Sequence, residues 1–300
     1  MTAIEWTHMP GYRGETWNPV TGCTKVSAGC KYCYAERNFP RPYARTGRKF
    51  TDIATYPERL DRPLRATKPR CYFVNSMSDL FHEDVPDEFI DQVFAVMALS
   101  PQHRFLILTK RPERMRAYLS FTTGAGNVLT RVIRAAQQIQ MPRGRHKPGG
   151  PSWPYRNVYL GVSVEDQATA DERIPLLLDT PAAVRFVSYE PALGPVDLGP
   201  WIFDAATDMA MRGDPLAAAL MRQSVEDGSG WMAPTLDWII VGGESGPKAR
   251  PFDVQWARST RDQCRAAGVA FFMKQMSGTR KSAMPPIPDD LMIREFPNAL

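Results

Sequence analysis

Six short apolar runs recur along the chain: "YFVNS" from Tyr72, "FLILTK" from Phe105, "VYLGVSVE" from Val158, "VRFVSYE" from Val184, "WIIVGGES" from Trp238 and "VAFFMKQ" from Val269. Each is rich in β-branched or aromatic residues and ends in polar residues or glycine, as strands buried on both faces require. Helical patterns lie between several of them. The clearest is "PDEFIDQVFAVMALS" from Pro86, where Phe89, Ile90, Val93, Phe94 and Met97 share one face behind a proline and an acidic first turn. Asp253 is placed to N-cap "VQWARSTRDQCRAAG", and Gly268 to stop it. Strand alternating with helix implies a parallel sheet with right-handed crossovers, so the expected fold class is α/β.

Within that class, a partial (β/α) TIM-like barrel of about six or seven parallel strands is favoured over a doubly wound sheet. Nearly every run ends in residues that chemistry can use. Asn75, Ser76, Ser78 and Asp79 follow the first run, and Thr109, Lys110 and Arg111 the second. Ser163 and Glu165, Ser188 and Glu190, Glu244 and Ser245, then Lys274 and Gln275 follow the others. Barrels build their sites at these C-terminal strand ends, although a strand also turns polar simply where it meets water.

Two segments interrupt the alternation. Residues 140–157, "QMPRGRHKPGGPSWPYRN", read as an exposed loop rich in Pro, Gly and basic residues. Residues 199–235 read as an insertion carrying a helix, "DPLAAALMRQSVEDG", a candidate lid over the strand ends. Neither reads as a separate domain, so residues 1–300 are expected to form a single domain.

Hydrophobic residues at 43% and charged ones at 23% describe an ordinary soluble globule. No apolar run approaches the ~18 to 20 residues of a membrane span, and no membrane role is expected. Five cysteines, an odd count, and a polar start, "TAIEWTHMPGYRG", argue against a secreted disulfide framework and for a reduced, cytoplasmic protein. The net charge of +5 and the pI near 9.0 point weakly to an anionic partner.

Three of the cysteines, Cys23, Cys30 and Cys33, crowd into "GCTKVSAGCKYC" with the spacing C-x6-C-x2-C. A structural zinc site wants four ligands, and here the second pair is missing. Cys71 opens an apolar run, Cys264 sits in a helical pattern, and the four histidines are scattered. Three thiolates without a fourth suit a four-iron cluster that keeps one iron open for an exogenous ligand. Zinc stays open beside it, because a Cys-x2-Cys pair so often binds zinc. Cys71 and Cys264 read as small core residues, and Trp6 and Trp17 as anchors for the N-terminal segment.

Several stretches together carry a resemblance: "TWNPVTGCTKVSAGCKYCYAE", "CYFVNSMSDLFHEDVPDEFIDQVFAVM", "LTKRPERM", "LGVSVEDQATADERIPLLL", "VRFVSYEPALGPVDL" and "IIVGGESGPKARPF". From Ile4 to about Gly278, the chain resembles the phage-associated three-cysteine-motif family, which is similar to radical S-adenosylmethionine proteins. The resemblance implies a partial barrel in which Cys23, Cys30 and Cys33 hold a 4Fe-4S cluster. S-adenosylmethionine would chelate the open iron, and a reducing electron donor such as flavodoxin or ferredoxin would drive its cleavage to methionine and a deoxyadenosyl radical. Tyr32 would lie near the adenine. Ser163, Glu190 and Glu244 are the chosen candidates for the cofactor's ribose and carboxylate, Glu244 because carboxylates accept ribose hydroxyls. The wider radical superfamily usually spaces its cysteines C-x3-C-x2-C, a shorter first gap than this one. Tyr189 stands where the family has a small residue, which bears on the substrate pocket. Met276 stands where a Trp is usual.

The substrate is expected to be a nucleic acid or a nucleotide-derived molecule, from the basic balance, from Arg143, Arg145 and Lys147 in the loop, and from Lys110 and Arg111. Basic loops of this kind are also common as solvated surface. Two other readings stand beside the radical enzyme: a zinc-stabilised nucleic-acid-binding module, and a cluster used only for electron transfer or structural support.

Overall fold

The computed structural model describes residues 2, 4–39, 47–120, 127–142, 153–203 and 235–297. The basic residues Arg143, Arg145, His146 and Lys147 and the helix read into "DPLAAALMRQSVEDG" lie outside the described residues.

Among the described residues, one sheet holds seven strands: β1 (Arg13–Trp17), β4 (Arg70–Val74), β5 (Arg104–Thr109), β6 (Val158–Val164), β7 (Val184–Tyr189), β8 (Trp238–Gly242) and β9 (Ala270–Gln275). A two-stranded antiparallel ribbon, β2 (Val20–Thr21) with β3 (Ala54–Thr55), stands apart. Every neighbouring pair in the main sheet is parallel, and spatial order follows chain order from β1 to β9. That monotonic order decides the architecture. A doubly wound sheet must reverse direction at a switch point, whereas right-handed crossovers that always add the next strand on the same side curl the sheet into a barrel wall. The result is a half-barrel, an α/β partial TIM-like fold. The six apolar runs supply six strands. The seventh, β1, reads "RGETW" and lacks an apolar run because it is an edge strand whose Glu15 pairs with Arg62 and Arg70.

Helices α1 (Tyr34–Asn38), α2 (Arg62–Arg65), α3 (Asp87–Ala98), α4 (Pro112–Leu119), α5 (Val128–Gln138), α6 (Gln167–Leu178), α7 (Gly199–Ile202) and α8 (Val254–Ala267) complete the described elements. The cap read from sequence for α8 is present: Asp253 accepts from the Gln255 amide at 2.9 Å, and Gly268 closes the helix at φ 68°.

The two sheet faces bury different cores. The larger packs the sheet against the helices and includes Trp17, Val162, Val187, Tyr189 and Val241. The smaller fills the concave face and includes Phe73, Tyr159, Phe186, Trp238 and Phe272. Strand alternation then orders the concave face along its length. Tyr159, Gly161 and Ser163 on β6, Val184, Phe186 and Ser188 on β7, and Phe272 and Lys274 on β9 each pass from apolar at the strand start to polar at its end. Trp6, in a single 3-10 turn over Glu5–Thr7, plugs the concavity, with ring centroids 4.7 Å from Phe73, 6.0 Å from Phe186 and 6.1 Å from Trp238. Trp17 packs on the opposite face, its indole N–H donating to the Arg59 carbonyl at 2.8 Å. Tyr189 also belongs to that outer core and hydrogen-bonds Gly194 O. It therefore lies on the helix side of the sheet, away from the concavity.

Candidate functional site

Above the Trp6 plug, at the C-terminal strand ends, lies a cavity of about 220 Å³. Trp6, Phe73 and Leu108 line it with apolar surface, and Lys110, Ser163, Ser188, Glu190, Glu244 and Lys274 supply polar strand-end groups. Gly29, Cys30, Tyr32 and Cys33 of the cysteine loop complete the lining. The structure thus brings Tyr32, Ser163, Glu190 and Glu244 to one cavity with two of the three clustered cysteines. A larger cavity, about 620 Å³, opens at the other end beside α8, between Val184, Asp237 and Ala270 at the strand starts, and none of the clustered cysteines reaches it.

Three ion-pair networks stand around the cavity and the cysteine loop. Glu165, fully buried just past β6, accepts from Ser27 Oγ at 2.9 Å and Arg173 Nη1 at 3.3 Å, and pairs with Lys110. Because Ser27 belongs to the cysteine loop and Lys110 to the end of β5, this one carboxylate ties the loop to two strands. Arg111, next along, forks between the acids Asp79 and Glu83 and the loop residues Cys23 and Thr24. Arg250 chelates Glu244 through both carboxylate oxygens and stands 5.4 Å above the Tyr32 ring. Within the cavity, Glu190 Oε2 accepts from Lys274 Nζ at 3.0 Å and from Ser188 Oγ at 3.1 Å.

These pairings give Lys110 and Arg111 internal carboxylate partners, where the sequence reading offered them to an anionic substrate. Arg173, Ser27 and Arg250 were not named from sequence, and Glu165 was named only as a strand-end residue. Alternation from Ser163 places Glu165 on the same side of the strand, a usable signal; nothing local marks Arg250.

The five thiols divide by environment. Cys23, Cys30 and Cys33 are free and half-buried, while Cys71 and Cys264 are free and fully buried. Burial pushes the Cys264 thiol up to about 12 and raises that of Cys71 as well. Cys23 is also pushed up to about 12, by burial first and then by the Asp79 carboxylate, against the opposing pull of Arg111. As the side chains stand, no group of three or more His, Cys, Asp or Glu among the described residues could hold a metal ion. His82, buried beside the loop, is committed at both nitrogens: Nδ1 accepts from the Asp84 amide at 3.2 Å, which leaves Nε2–H to donate to Thr24 Oγ1 at 2.9 Å. Burial, then the Arg111 charge, holds the His82 pKa below its usual value.

The family model described as "Protein of unknown function (DUF5131)" matches residues 1–294. The chain belongs to that family. No curated protein matches it. Among solved structures, "Spore photoproduct lyase complexed with dinucleoside spore photoproduct" is similar at TM-score 0.39 and 10% identity, covering 85% of this chain and 74% of that one.

In this DUF5131 member, three free thiols lie on one segment, and a carboxylate and a guanidinium brace that segment from outside. Gly29, between the first and second cysteines, lies so close to Glu165 that a side chain there would stand 2.8 Å from its Cδ. The loop is therefore seated on the strand end.

Among the described residues, no helix is long and apolar enough to cross a membrane.

Proposed function

We propose that this protein is an iron–sulfur enzyme in which Cys23, Cys30 and Cys33 hold a 4Fe-4S cluster and the adjoining cavity binds S-adenosylmethionine. The observation that carries this reading is the meeting of Cys30, Cys33 and Tyr32 with Ser163, Glu190 and Glu244 around one cavity at the C-terminal ends of a parallel half-barrel, where such folds place their chemistry. Reduced by an external donor such as flavodoxin or ferredoxin, the bound pair of groups supplies a deoxyadenosyl radical for hydrogen abstraction.

The chain's own residues shape where that chemistry happens. Tyr32 brings an aromatic ring to the cavity lining for a planar base to pack against, with the Lys31 and Arg250 cations already over that ring. Ser163 and Ser188 offer hydroxyls, and the Glu190–Lys274 pair offers both signs of charge to a zwitterionic ligand. Glu244 keeps acceptor capacity for ribose hydroxyls while Arg250 fixes its direction. Trp6, Phe73 and Leu108 line the cavity with apolar surface, which would shield a reactive intermediate from part of the surrounding water. For the substrate, the net charge of +5 favours an anionic molecule, and a nucleic acid or nucleotide derivative is the class we propose.

The zinc reading is the weaker one, since His82 has both ring nitrogens committed and the other cysteines, Cys71 and Cys264, are fully buried.

Anaerobic reconstitution with iron and sulfide tests the proposal. The expected product is a brown protein with about four irons per chain that converts S-adenosylmethionine to deoxyadenosine and methionine under reduction. Cys23→Ala, Cys30→Ala and Cys33→Ala each abolish the colour, while Cys71→Ala and Cys264→Ala keep it. Stoichiometric zinc without iron uptake overturns the reading. A reducible cluster whose spectrum ignores S-adenosylmethionine moves the protein to electron transfer.

A further inference from the structure

Beside the cavity at the C-terminal strand ends, two segments of the chain meet. Residues 25–37 carry Cys30, Cys33 and most of α1, and residues 244–250 form the turn that follows β8. Both line the cavity, the first through Tyr32 and Tyr34 and the second through Glu244 and Ser245. They touch through charged side chains. The Arg37 guanidinium lies so close to Gly246 that a side chain there would collide with it, and Arg250 stands 5.4 Å from the centre of the Tyr32 ring. Lys31 Nζ lies 5.4 Å from the same ring.

Charge across the two segments is one-sided. Lys25, Lys31, Arg37, Lys248 and Arg250 stand against two carboxylates, Glu36 and Glu244. Both carboxylates are already paired, Glu36 with Lys25 at 2.9 Å and Glu244 with Arg250. Lys31, Arg37 and Lys248 are exposed, and among the described residues none of them has a carboxylate partner. Lys248 is held at φ 67°, a left-handed backbone uncommon for a residue with a side chain and relaxed for glycine. An aromatic side chain completes this rim. Tyr34 lines the cavity yet remains 42% exposed. Its hydroxyl donates to the Ser76 carbonyl at 2.5 Å, so the ring is pinned by its tip while much of it meets solvent.

We infer that this rim binds a single-stranded nucleic acid: Lys31, Arg37 and Lys248 take backbone phosphates, and Tyr34 stacks a base. The inference rests on the substrate class proposed above and deepens it, and it needs no metal at the cysteines. Unpaired cations attract any polyanion, and a nucleic acid strand adds the counterions that its phosphates release on binding. The exposed ring narrows the choice. Bases in a duplex are already stacked on one another, whereas an unpaired base has a free face for an aromatic side chain. An acidic peptide would use the cations and leave the ring without a partner.

The test is fluorescence anisotropy of labelled oligo-dT and oligo-U over a salt series, with the full-length protein purified without added iron. The rim variant is Lys31→Gln/Arg37→Gln/Lys248→Gln. A control, Lys68→Gln/Arg134→Gln/Arg156→Gln, removes the same charge from exposed positions elsewhere. Urea unfolding midpoints are measured on each. The rim variant is expected to flatten the slope of log affinity against log salt by about 2, since each phosphate contact on a single strand contributes about 0.7. The control should keep the wild-type slope. Tyr34→Leu should weaken binding about tenfold, while Tyr34→Phe, which keeps the ring, binds close to wild type. Where the rim variant does not fold, its three single substitutions replace it, each lowering the slope by about 0.7. A wild-type slope in the folded rim variant, or equal losses in the rim and control variants, overturns the rim and leaves the substrate class standing. Displacement of the oligonucleotide by duplex DNA or polyglutamate as readily as by an unlabelled single strand overturns the single-strand assignment. A wild type that binds neither oligonucleotide at low salt overturns the rim and the substrate class together, whatever its iron uptake on reconstitution.

Discussion

Arg250 forks onto Glu244: Nη2 lies 2.8 Å from Oε1, Nε lies 3.0 Å from Oε2, and the Arg250 amide adds a third bond to Oε2 at 2.9 Å. The pair ties the end of β8 to the turn that follows it and carries Arg250 over the Tyr32 ring. Burial raises the Glu244 pKa, but the hydrogen bonds and charge of Arg250 outweigh it and hold the carboxyl below its ordinary value. A depressed folded-state pKa contributes stability that is complete above the unfolded value and lost as pH falls through the folded one. Arg250→Ala is therefore expected to cost roughly 2 to 3 kcal/mol at neutral pH, measured by urea unfolding. The gap from wild type should close in acid, once Glu244 is protonated in both proteins. A gap that stays constant with pH would show that the pair acts by packing alone.

The architecture was legible because six strands are apolar runs and their polar endings share one end of the sheet. β1 was hard to read, because an edge strand that satisfies Glu15 with arginines from elsewhere in the chain needs no apolar run. The cavity residues Ser163, Glu190 and Glu244 could be picked by position at strand ends. Their partners could not. Arg250 meets Glu244 only because the turn around Gly246, at φ 113°, folds back, and Arg173 reaches Glu165 from α6 across the strand end. Such pairings depend on crossover geometry, which residue spacing does not encode. Tyr189 shows the reverse case: strand alternation alone would have placed it on the outer face, away from the pocket.

Gly161 and Phe186 are register partners on β6 and β7. A Cβ at Gly161 would stand 2.5 to 2.7 Å from three carbons of the Phe186 ring, so the glycine is what lets that ring lie across the neighbouring strand. Gly161→Ala is expected to destabilise by about 1 to 3 kcal/mol through overpacking. Adding Phe186→Leu should recover part of the loss, because the smaller side chain vacates the contact. Equal stability of wild type and Gly161→Ala would mean the ring moves freely.

Thiol reactivity should separate the five cysteines without any metal present. Cys30 and Cys33 face the cavity, Cys71 and Cys264 are fully buried, and Cys23 is pushed up to about 12. At about pH 8 the reactive thiolate of Cys23 is scarce. Mass spectrometry after brief iodoacetamide treatment of the native protein should find Cys30 and Cys33 labelled first, Cys23 later, and Cys71 and Cys264 only after unfolding. Rapid labelling of Cys23 would show that Arg111, not burial and Asp79, dominates its environment. Iron loading should then protect the three loop cysteines together.

Gly29 sits against the Glu165 carboxylate, which has nowhere to retreat: Ser27, Lys110 and Arg173 hold its oxygens, and it has no exposed surface. A Cβ at Gly29 would stand 2.8 Å from both Glu165 Cδ and Cγ, so in Gly29→Ala the loop must lift while the strand end stays in place. The expected outcome is a large loss of iron uptake on reconstitution with an unfolding midpoint close to wild type, since the displaced segment is a loop rather than the sheet. Gly194→Ala is the control. Its Cβ would meet Asp166 Cβ at an ordinary 3.5 Å, and iron uptake should be unchanged. Full iron loading in Gly29→Ala would mean that the seat of the loop on Glu165 has no part in presenting its cysteines.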